Sequence, residues 1–172
     1  TGTSNTAVGL NALRANTVGI QNTSTGNQAL ACNTTGNLNT GFGHYALLSN
    51  TTGGYNTGLG ALALQNNTTG NENTAVGNGA GRFVDGTHNV YVGHFSGGSF
   101  VSGNNNTALG TRSGFRVSDG TENVFLGYEA GRLNSVTGPQ NGVIKIGYQA
   151  GYGDDTSNKL YIENSNSATP LI

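Results

Sequence analysis

Paired carboxylates are the residues in this sequence with the clearest catalytic meaning, because two Asp or Glu side chains about 5–9.5 Å apart can cleave a glycosidic bond. Glu72 and Glu122 each lie five residues before a glycine that recurs through the chain. They are three repeats apart, which is about 14 Å in a stack of coils spaced about 4.8 Å apart. Asp85 and Asp119 are also in separate repeats and are predicted to lie in solvated turns. A carboxylate pair within one chain is therefore not expected, and a polysaccharide-cleaving site between chains stays open as an alternative.

Histidines and glycine-rich segments also fail to form a recognisable site. His44 and His94 each follow the recurring glycine but are three repeats apart, and His88 holds a different position in its repeat. A ring of three copies of His44 or His94 around a trimer axis is the one metal-binding arrangement that remains. The glycine-rich segment 77–81 lacks the strand–loop–helix context of a phosphate-binding loop. We expect no metal, no cofactor and no enzymatic activity.

The composition limits the fold class and the partners. The chain has 172 residues, of which 30 are glycine, only 9% are charged, and the net charge is -1. Gly, Asn, Thr and Ser are weak helix formers, which argues against a helical bundle. The near-neutral charge provides no basic face for nucleic acid. No apolar run reaches the roughly 18 residues needed to cross a bilayer, so no membrane insertion of this segment is expected.

One glycine recurs at a nearly constant interval of 17 residues, with one interval of 16 and one of 20. Asn precedes it by four residues in eight copies, and Ala or Ser follows it by three. The recurring glycines are Gly9, Gly26, Gly43, Gly60, Gly77, Gly93, Gly110, Gly127 and Gly147. The positions taken as the structural repeat are Asn39, Gly43, Ala46, Asn56, Gly60, Ala63, Asn73, Val76, Gly77, Ala80, Asn106, Gly110, Asn123 and Gly127.

A 17-residue repeat is too short for a helix pair and suits one coil of an all-β parallel β-solenoid. We predict two strands of about five residues and two turns per coil. Residues two apart in a strand point to the same side. Thr74 and Val76 are therefore predicted to face the core and Ala75 to face outward. The recurring Asn is predicted to form a ladder that hydrogen-bonds turn amides between coils.

The repeat resembles that of a known family. The run Asn-Thr-Ala-Val-Gly-x-x-Ala at residues 73–80 resembles the Asn-Ser-Val-Ala-Ile-Gly repeat of YadA-like head domains. Those domains belong to trimeric autotransporter adhesins and to some phage tail fibres. The resemblance covers about residues 3–152 and implies a left-handed parallel β-roll with three chains packed side by side. The period of 17 is longer than the usual repeat of that family, and the additional residues fall in an Asn-Thr-Thr-Gly corner.

The repeat changes along the chain and divides it into three sections. The residue four positions after the recurring glycine is Leu up to residue 64 and Gly from residue 81 onward. We predict a Leu-rich section at 1–80 and a section of Gly- and aromatic-rich coils at 81–152. Residues 153–172 form a predicted cap or connector. The segment 157–165 resembles sequences that follow such repeats in phage-tail-like and bacterial surface fibres, and its residues 159–162 are predicted to form a strand outside the 17-residue register.

Aromatic residues are concentrated in the second section. Tyr91 and Phe125 hold the strand position of Ala75, so they are predicted to face outward. Outward aromatic side chains need a partner because large exposed apolar patches are rare. Packing between protomers is the favoured role, and a glycan or receptor surface is the alternative. The candidate binding or interface residues are His44, Tyr45, Tyr91, His94, Phe95, Phe125, Tyr128 and Tyr148.

These observations predict a structural and adhesive fibre module of a cell-surface or phage-tail-like protein. It would be extracellular, form a homotrimer, and present a repetitive surface to a host receptor, a glycan or another fibre. An ice- or surface-binding solenoid that uses threonine ladders is the alternative, and a polysaccharide-degrading tail fibre is the third hypothesis. The predicted inward orientation of the main threonine column argues against ice binding. That column comprises Thr6, Thr40, Thr57, Thr74 and Thr107.

Overall fold

A computed structural model describes residues 2–98, 102–134 and 139–164. Within these residues the chain is all-β and has no helix. It winds into a β-solenoid of about nine turns, and each coil has about 17 residues. The predicted fold class is therefore confirmed at the level of a parallel β-solenoid.

A single parallel sheet of ten short strands runs along the solenoid, and a second sheet contains only two strands. The ten-stranded sheet has the order β1-β2-β3-β4-β5-β6-β7-β9-β11-β12, and β8 pairs with β10. The strands are β1 Thr6–Val8, β2 Thr23–Thr25, β3 Thr40–Phe42, β4 Thr57–Leu59, β5 Thr74–Val76, β6 Val90–Val92, β7 Thr107–Leu109, β8 Ser118–Thr121, β9 Val124–Leu126, β10 Pro139–Asn141, β11 Ile144–Ile146 and β12 Leu160–Ile162.

The prediction of two five-residue strands in every coil is wrong, because most of each coil is turn. Left-handed residues such as Tyr45 (φ 59°) and Leu47 (φ 53°) bend the chain repeatedly on the side opposite the ten-stranded sheet. Hydrogen bonds still join the coils there: the Leu47 amide donates to the carbonyl of Ala63 at 2.9 Å. Bent backbone of this kind stacks on itself without forming extended strands.

Equivalent residues of successive repeats lie on top of one another, as the repeat predicts. Thr57 pairs with Thr74, and Leu59 pairs with Val76, in a parallel register without shift. The strand predicted near residues 159–162 also belongs to this sheet. Leu160 pairs with Ile144, so β12 is a further rung of the solenoid and the prediction of a strand outside the register is wrong. The remainder of the predicted cap, residues 165–172, lies outside the described residues.

The strands alternate as predicted, but the face assigned to the core is the opposite one. Ala75 is fully buried, and Val76 is 36% exposed. Tyr91 and Phe125, which share the position of Ala75, are also fully buried. The physical reason lies one residue earlier: Asn73 must point into the coil to reach its hydrogen-bond partners, so alternation directs Thr74 outward. Tyr91 and Phe125 are therefore core residues and not the surface contacts predicted from the sequence.

The core keeps its volume by exchanging large and small residues between two positions. Beside β3 and β4 a leucine of the preceding coil fills the interior, and the central strand residue is a glycine: a Cβ on Gly41 would lie 3.3 Å from Cγ of Leu30. In later coils an aromatic ring from the strand fills the same space. A Cβ on Gly131 would lie only 2.2 Å from Cδ1 of Phe125. The change from Leu to Gly near residue 80 compensates for larger strand residues, because close-packed interiors conserve volume.

A buried asparagine ladder joins the coils, which confirms the predicted stacking of the recurring Asn. Asn56 Oδ1 accepts from the backbone amide of Asn73 at 3.0 Å and from its Nδ2 at 3.1 Å. Asn56 Nδ2 donates to Asn39 Oδ1 at 3.1 Å and to the carbonyl of Gly70 at 2.8 Å. The ladder members Asn22, Asn39, Asn56, Asn73, Asn89, Asn106 and Asn123 are fully buried and repeat this pattern.

One corner of the solenoid accommodates a coil that is shorter by one residue. In the regular coils a threonine carbonyl accepts amides from the coil below, as Thr51 does for Thr34 at 2.9 Å. In the short coil the carboxylate of Asp85 replaces that carbonyl. It accepts the amides of Thr68, Thr69 and Gly70 at 2.8, 2.7 and 2.9 Å. Burial raises the pKa of Asp85, and these hydrogen bonds outweigh it, so the pKa lies below its usual value.

The last coils contain a buried lysine in the core position of the strand. Lys145 Nζ donates to the carbonyls of Gly151 at 3.2 Å and Asp154 at 2.7 Å. It lies 5.8 Å and 5.5 Å from the ring centroids of Phe125 and Tyr161. Burial, partly offset by the negative charges of nearby aspartates, lowers the pKa of Lys145 to about 8. Its carbonyl partners and the two rings together compensate a charge that would otherwise be costly to bury.

The asparagine ladder is expected to dominate the stability of the coils. Replacing Asn56 by alanine leaves the buried Asn73 amide without its partner, whereas the Gly70 carbonyl keeps a second donor, Asn67 Nδ2, at 3.1 Å. We expect a loss of about 1–3 kcal/mol, the cost of leaving one buried amide unsatisfied. Chemical denaturation measures it. Asn78→Ala, at an exposed position, is the control and should change stability by less than about 0.5 kcal/mol.

The exchange of core volume is testable with a double-mutant cycle. Gly131→Leu alone should destabilise the protein by about 3 kcal/mol or more, because the new side chain overlaps Phe125. Phe125→Gly alone should cost about as much by leaving a cavity. Combining the two restores the arrangement of the early coils, where Leu64 tolerates the same left-handed conformation (φ 50°). A double variant whose loss equals the sum of the two single losses would contradict this compensation.

Candidate interaction surface

The outer side of the ten-stranded sheet is the most continuous apolar surface of the described residues. It consists of the first and third residues of each strand, and we call it the sheet face. Val8 and Phe42 are 57% and 58% exposed on it. Its first column is Thr6, Thr23, Thr40, Thr57, Thr74, Val90, Thr107, Val124, Ile144 and Leu160; its second is Val8, Thr25, Phe42, Leu59, Val76, Val92, Leu109, Leu126, Ile146 and Ile162.

The sheet face is long, narrow and uncharged. Ten strands spaced about 4.8 Å apart extend about 43 Å along the axis, and the two columns lie about 7 Å apart on each strand. None of the twenty outward positions of these ten strands is Asp, Glu, Lys or Arg. The first column is mainly threonine and the second mainly aliphatic. The face can therefore pack against an apolar surface or order water, and it provides no acid or base for catalysis.

A second feature lies at the corner just after the sheet, where residues directly follow the recurring glycine. On four successive coils this column holds His94, Thr111, Tyr128 and Tyr148, and we call it the aromatic corner. The rings of Tyr128 and Tyr148 stack in parallel, with centroids 5.5 Å apart and planes 8° apart. Each of these tyrosines is more than 40% exposed. Among the predicted binding residues, Tyr128 and Tyr148 are thus two exposed residues whose rings stack on each other across neighbouring coils.

The other predicted aromatic residues form smaller groups along the same edge. The ring centroids of His44 and Tyr45 lie 3.7 Å apart. Those of His94 and Phe95 lie 4.5 Å apart, and Phe95 also meets Phe115 edge-on at 6.1 Å. His44 and His94 are on separate coils, as the sequence predicts. Within the part of the chain that the structure describes, no group of three or more His, Cys, Asp or Glu residues could hold a metal ion.

The structural repeat residues lie mostly inside the coil. Their asparagines form the buried ladder, and Ala46, Ala63 and Ala80 are fully buried. The repeat glycines stack backbone on backbone: a Cβ on Gly43 (φ 136°) would come within 2.6 Å of the Gly60 carbonyl. Val76 is the exception, because it belongs to the sheet face. The repeat is thus a scaffold, and the exposed positions between its fixed residues carry any interaction.

A polar row behind the aromatic corner was not identified from the sequence. Glu129 is 3% exposed and accepts from Arg132 Nη1 at 2.6 Å and from Gln149 Nε2 at 2.8 Å. Arg112 Nη1 lies 3.4 Å from the same carboxylate. Burial raises the pKa of Glu129, but these hydrogen bonds and the Arg132 charge outweigh it and lower the pKa. The signal was available, because Arg112, Glu129 and Gln149 hold one position on three successive coils.

The carboxylates considered for glycoside cleavage do not form a pair. Glu72 lies 3.2 Å from His88 Nε2 on the next coil, and both side chains are 55% exposed. Glu122 lies on a later coil and is exposed. Among residues 2–98, 102–134 and 139–164 there is also no helix with the length and apolar character to cross a membrane.

Comparisons with protein-family models, curated proteins and solved structures find no match to this chain. The resemblance to YadA-like head repeats therefore stays a prediction from the repeat motif.

Proposed function

We propose that this chain is a structural module of an extracellular fibre that associates with further copies of itself through the sheet face. The observation that carries the proposal is the uncharged apolar strip along all ten strands of that sheet. Exposed apolar strips of this length are unusual in monomeric proteins and mark sites of association. The strip is also the feature that every coil maintains, whatever residues fill its core.

The thin core of the solenoid gives a further reason for association. Most coils bury only one strand residue, one Ala or Ser and one or two further aliphatic residues, such as Leu47, Val84 or Val117. Single coils of this size are stabilised mainly by their neighbours along the axis. Burial of the aliphatic column between chains would add about 25 cal/mol for each Å² of apolar area removed from water. Lateral association therefore supplies stability that the coil itself is too small to provide.

Three copies arranged around a common axis suit a strip that is narrow and long. Each chain would present its strip to the axis and meet two neighbours. All copies have the same rise per coil, so equivalent strands would lie at one level in a parallel bundle. This arrangement is also the one that the resemblance to YadA-like heads implies. Adhesion would then follow from repetition, because three chains with many coils multiply weak contacts through a high effective concentration.

Charge placed on the sheet face should separate the copies without unfolding the coil. Val76 and Val92 are exposed in the isolated chain, so Val76→Lys and Val92→Lys should be tolerated there. In the trimer each lysine would be buried without a partner, which costs several kcal/mol. We expect the purified protein to be a trimer and each variant to raise its dissociation constant by roughly 100-fold or more. Sedimentation equilibrium or multi-angle light scattering measures this.

Thr52→Lys is the matched control, because Thr52 is exposed in a corner away from the sheet. It should leave the trimer intact. A monomeric wild-type protein at high concentration would refute association through this face. So would lysine variants that keep the mass of the wild-type protein.

Ice binding is the second candidate, because the structure reverses the orientation that argued against it. The threonine column faces outward, where Thr40, Thr57 and Thr74 repeat at the strand spacing on a regular uncharged sheet. An ordered array of hydroxyl and methyl groups can organise water over its surface. A face buried between chains is not accessible to ice, so the two candidates require different association states.

A freezing assay distinguishes them. If ice binding is the function, the monomer should show thermal hysteresis, and Thr57→Lys should abolish most of it while Thr52→Lys should not. Absence of hysteresis in a monomeric preparation would reject this candidate.

A further inference from the structure

The aromatic corner combines two exposed rings with polar groups whose positions are fixed by one another. Tyr128 and Tyr148 are 44% and 49% exposed and stack in parallel. The Arg112–Glu129–Gln149 row lies one residue further along the chain on the same coils. With His94 and Thr111, the column extends over four coils, about 14 Å at the strand spacing. An elongated ligand could contact several of these side chains at once.

The net charge of the aromatic corner and its polar row favours the binding of an anion. Arg112 and Arg132 contribute two positive charges, and Glu129 contributes one negative charge that is directed toward them. The two arginines keep Glu129 ionised, so one positive charge remains in excess. Arg112 makes only a long contact of 3.4 Å to Glu129, and 42% of its side chain is exposed. Its guanidinium is therefore the group best placed to pair with a carboxylate from solution.

We propose that the aromatic corner binds a saccharide that carries a carboxylate group. A pyranose ring would pack its C–H groups against the exposed tyrosines, while its carboxylate would pair with Arg112. Fixed side chains lose little conformational entropy on binding, and Glu129 holds Arg132 and Gln149 in place beforehand, while Arg112 stays available to the ligand. The proposal gives a ligand class to the adhesive role proposed above and rests on that role. It does not depend on association through the sheet face.

Packing of this corner against another protein chain is less favourable. Such packing would remove Arg112 and its neighbours from water without supplying a second carboxylate, and an imperfectly paired buried charge is costly. A saccharide on an open surface leaves the guanidinium partly hydrated. The neighbouring sheet face is uncharged along its whole length. It therefore suits packing against another chain, whereas the charged aromatic corner suits a hydrated polar ligand.

Calorimetric titration of the assembled protein tests the proposal with defined probes. Trigalacturonic acid carries uronate groups, sialyllactose carries a sialate, and maltotriose is the neutral comparison. We expect at least one acidic probe to bind and maltotriose to bind at least roughly tenfold more weakly. Tyr128→Ala and Tyr148→Ala should each weaken acidic binding roughly tenfold. Arg112→Gln should reduce it by a similar factor and remove the preference over maltotriose. Which acidic probe binds identifies the source of the carboxylate.

Two variants serve as matched controls. Tyr55→Ala removes a tyrosine that is 62% exposed on another corner, and Arg14→Gln removes an exposed arginine far from the site. Both should bind the acidic probe like the wild-type protein. The proposal is overturned if neither acidic probe binds, or if the Tyr128 and Tyr148 variants bind it unchanged. It is also overturned if these variants change the oligomeric mass, since the corner would then be a subunit contact. Failure of the sheet-face variants to dissociate the protein would leave this result unaffected.

Discussion

The need to satisfy backbone and amide groups inside a very thin coil determines the rest of this structure. Most coils have a single three-residue strand, so most of their backbone lies outside a regular ladder. The buried asparagines supply the missing partners by bonding both the coil below and the coil above. Asn73, for example, accepts the amide of Asn89 on one neighbouring coil at 3.1 Å and donates to Asn56 Oδ1 on the other at 3.1 Å. The ladder fixes the register, and the register in turn aligns every exposed column.

The interior and the surface of the solenoid have separate roles. The interior accepts leucine, tyrosine, phenylalanine or even Lys145, provided that the neighbouring corner residue leaves enough room. Over the same coils the sheet face stays uncharged and keeps threonine or aliphatic residues at every position except Phe42. A scaffold that changes its core while it preserves an outer strip indicates that the strip is under a constraint of its own. Association between copies is the proposal that accounts for it, and the aromatic corner is the separate surface for which a saccharide ligand is proposed.

The sequence alone was sufficient to predict the repeat, the solenoid and the asparagine ladder. In a stack of coils, residues that are one repeat apart in sequence lie next to each other, so the spacing of the asparagines predicts their contact. It was insufficient for the direction of the side chains. Alternation defines two faces of a strand but not which of them is buried, and the large Val76 was assigned to the core over the small Ala75. The pairing of Gly41 with Leu30 and of Phe125 with Gly131 indicates which face is buried. A small residue at one position accompanies a large residue at the other only when both side chains share the same space in the core. The Glu129 network was missed for the same reason: Arg112, Glu129 and Gln149 share one repeat position, but the repeat does not show that the Glu129 side chain is buried.

The Asp85 corner shows how such a solenoid can change length without losing its order. A carboxylate there substitutes for a backbone carbonyl, so a coil with one residue fewer still closes, and the next strand pairs in register. The coil between Gly127 and Gly147 is three residues longer than the usual repeat and likewise returns β11 to its place beside β9. Insertions and deletions on this side are therefore absorbed locally. Evolution or an engineer could lengthen these loops to display new sequences at defined heights along the solenoid while the sheet face stays unaltered.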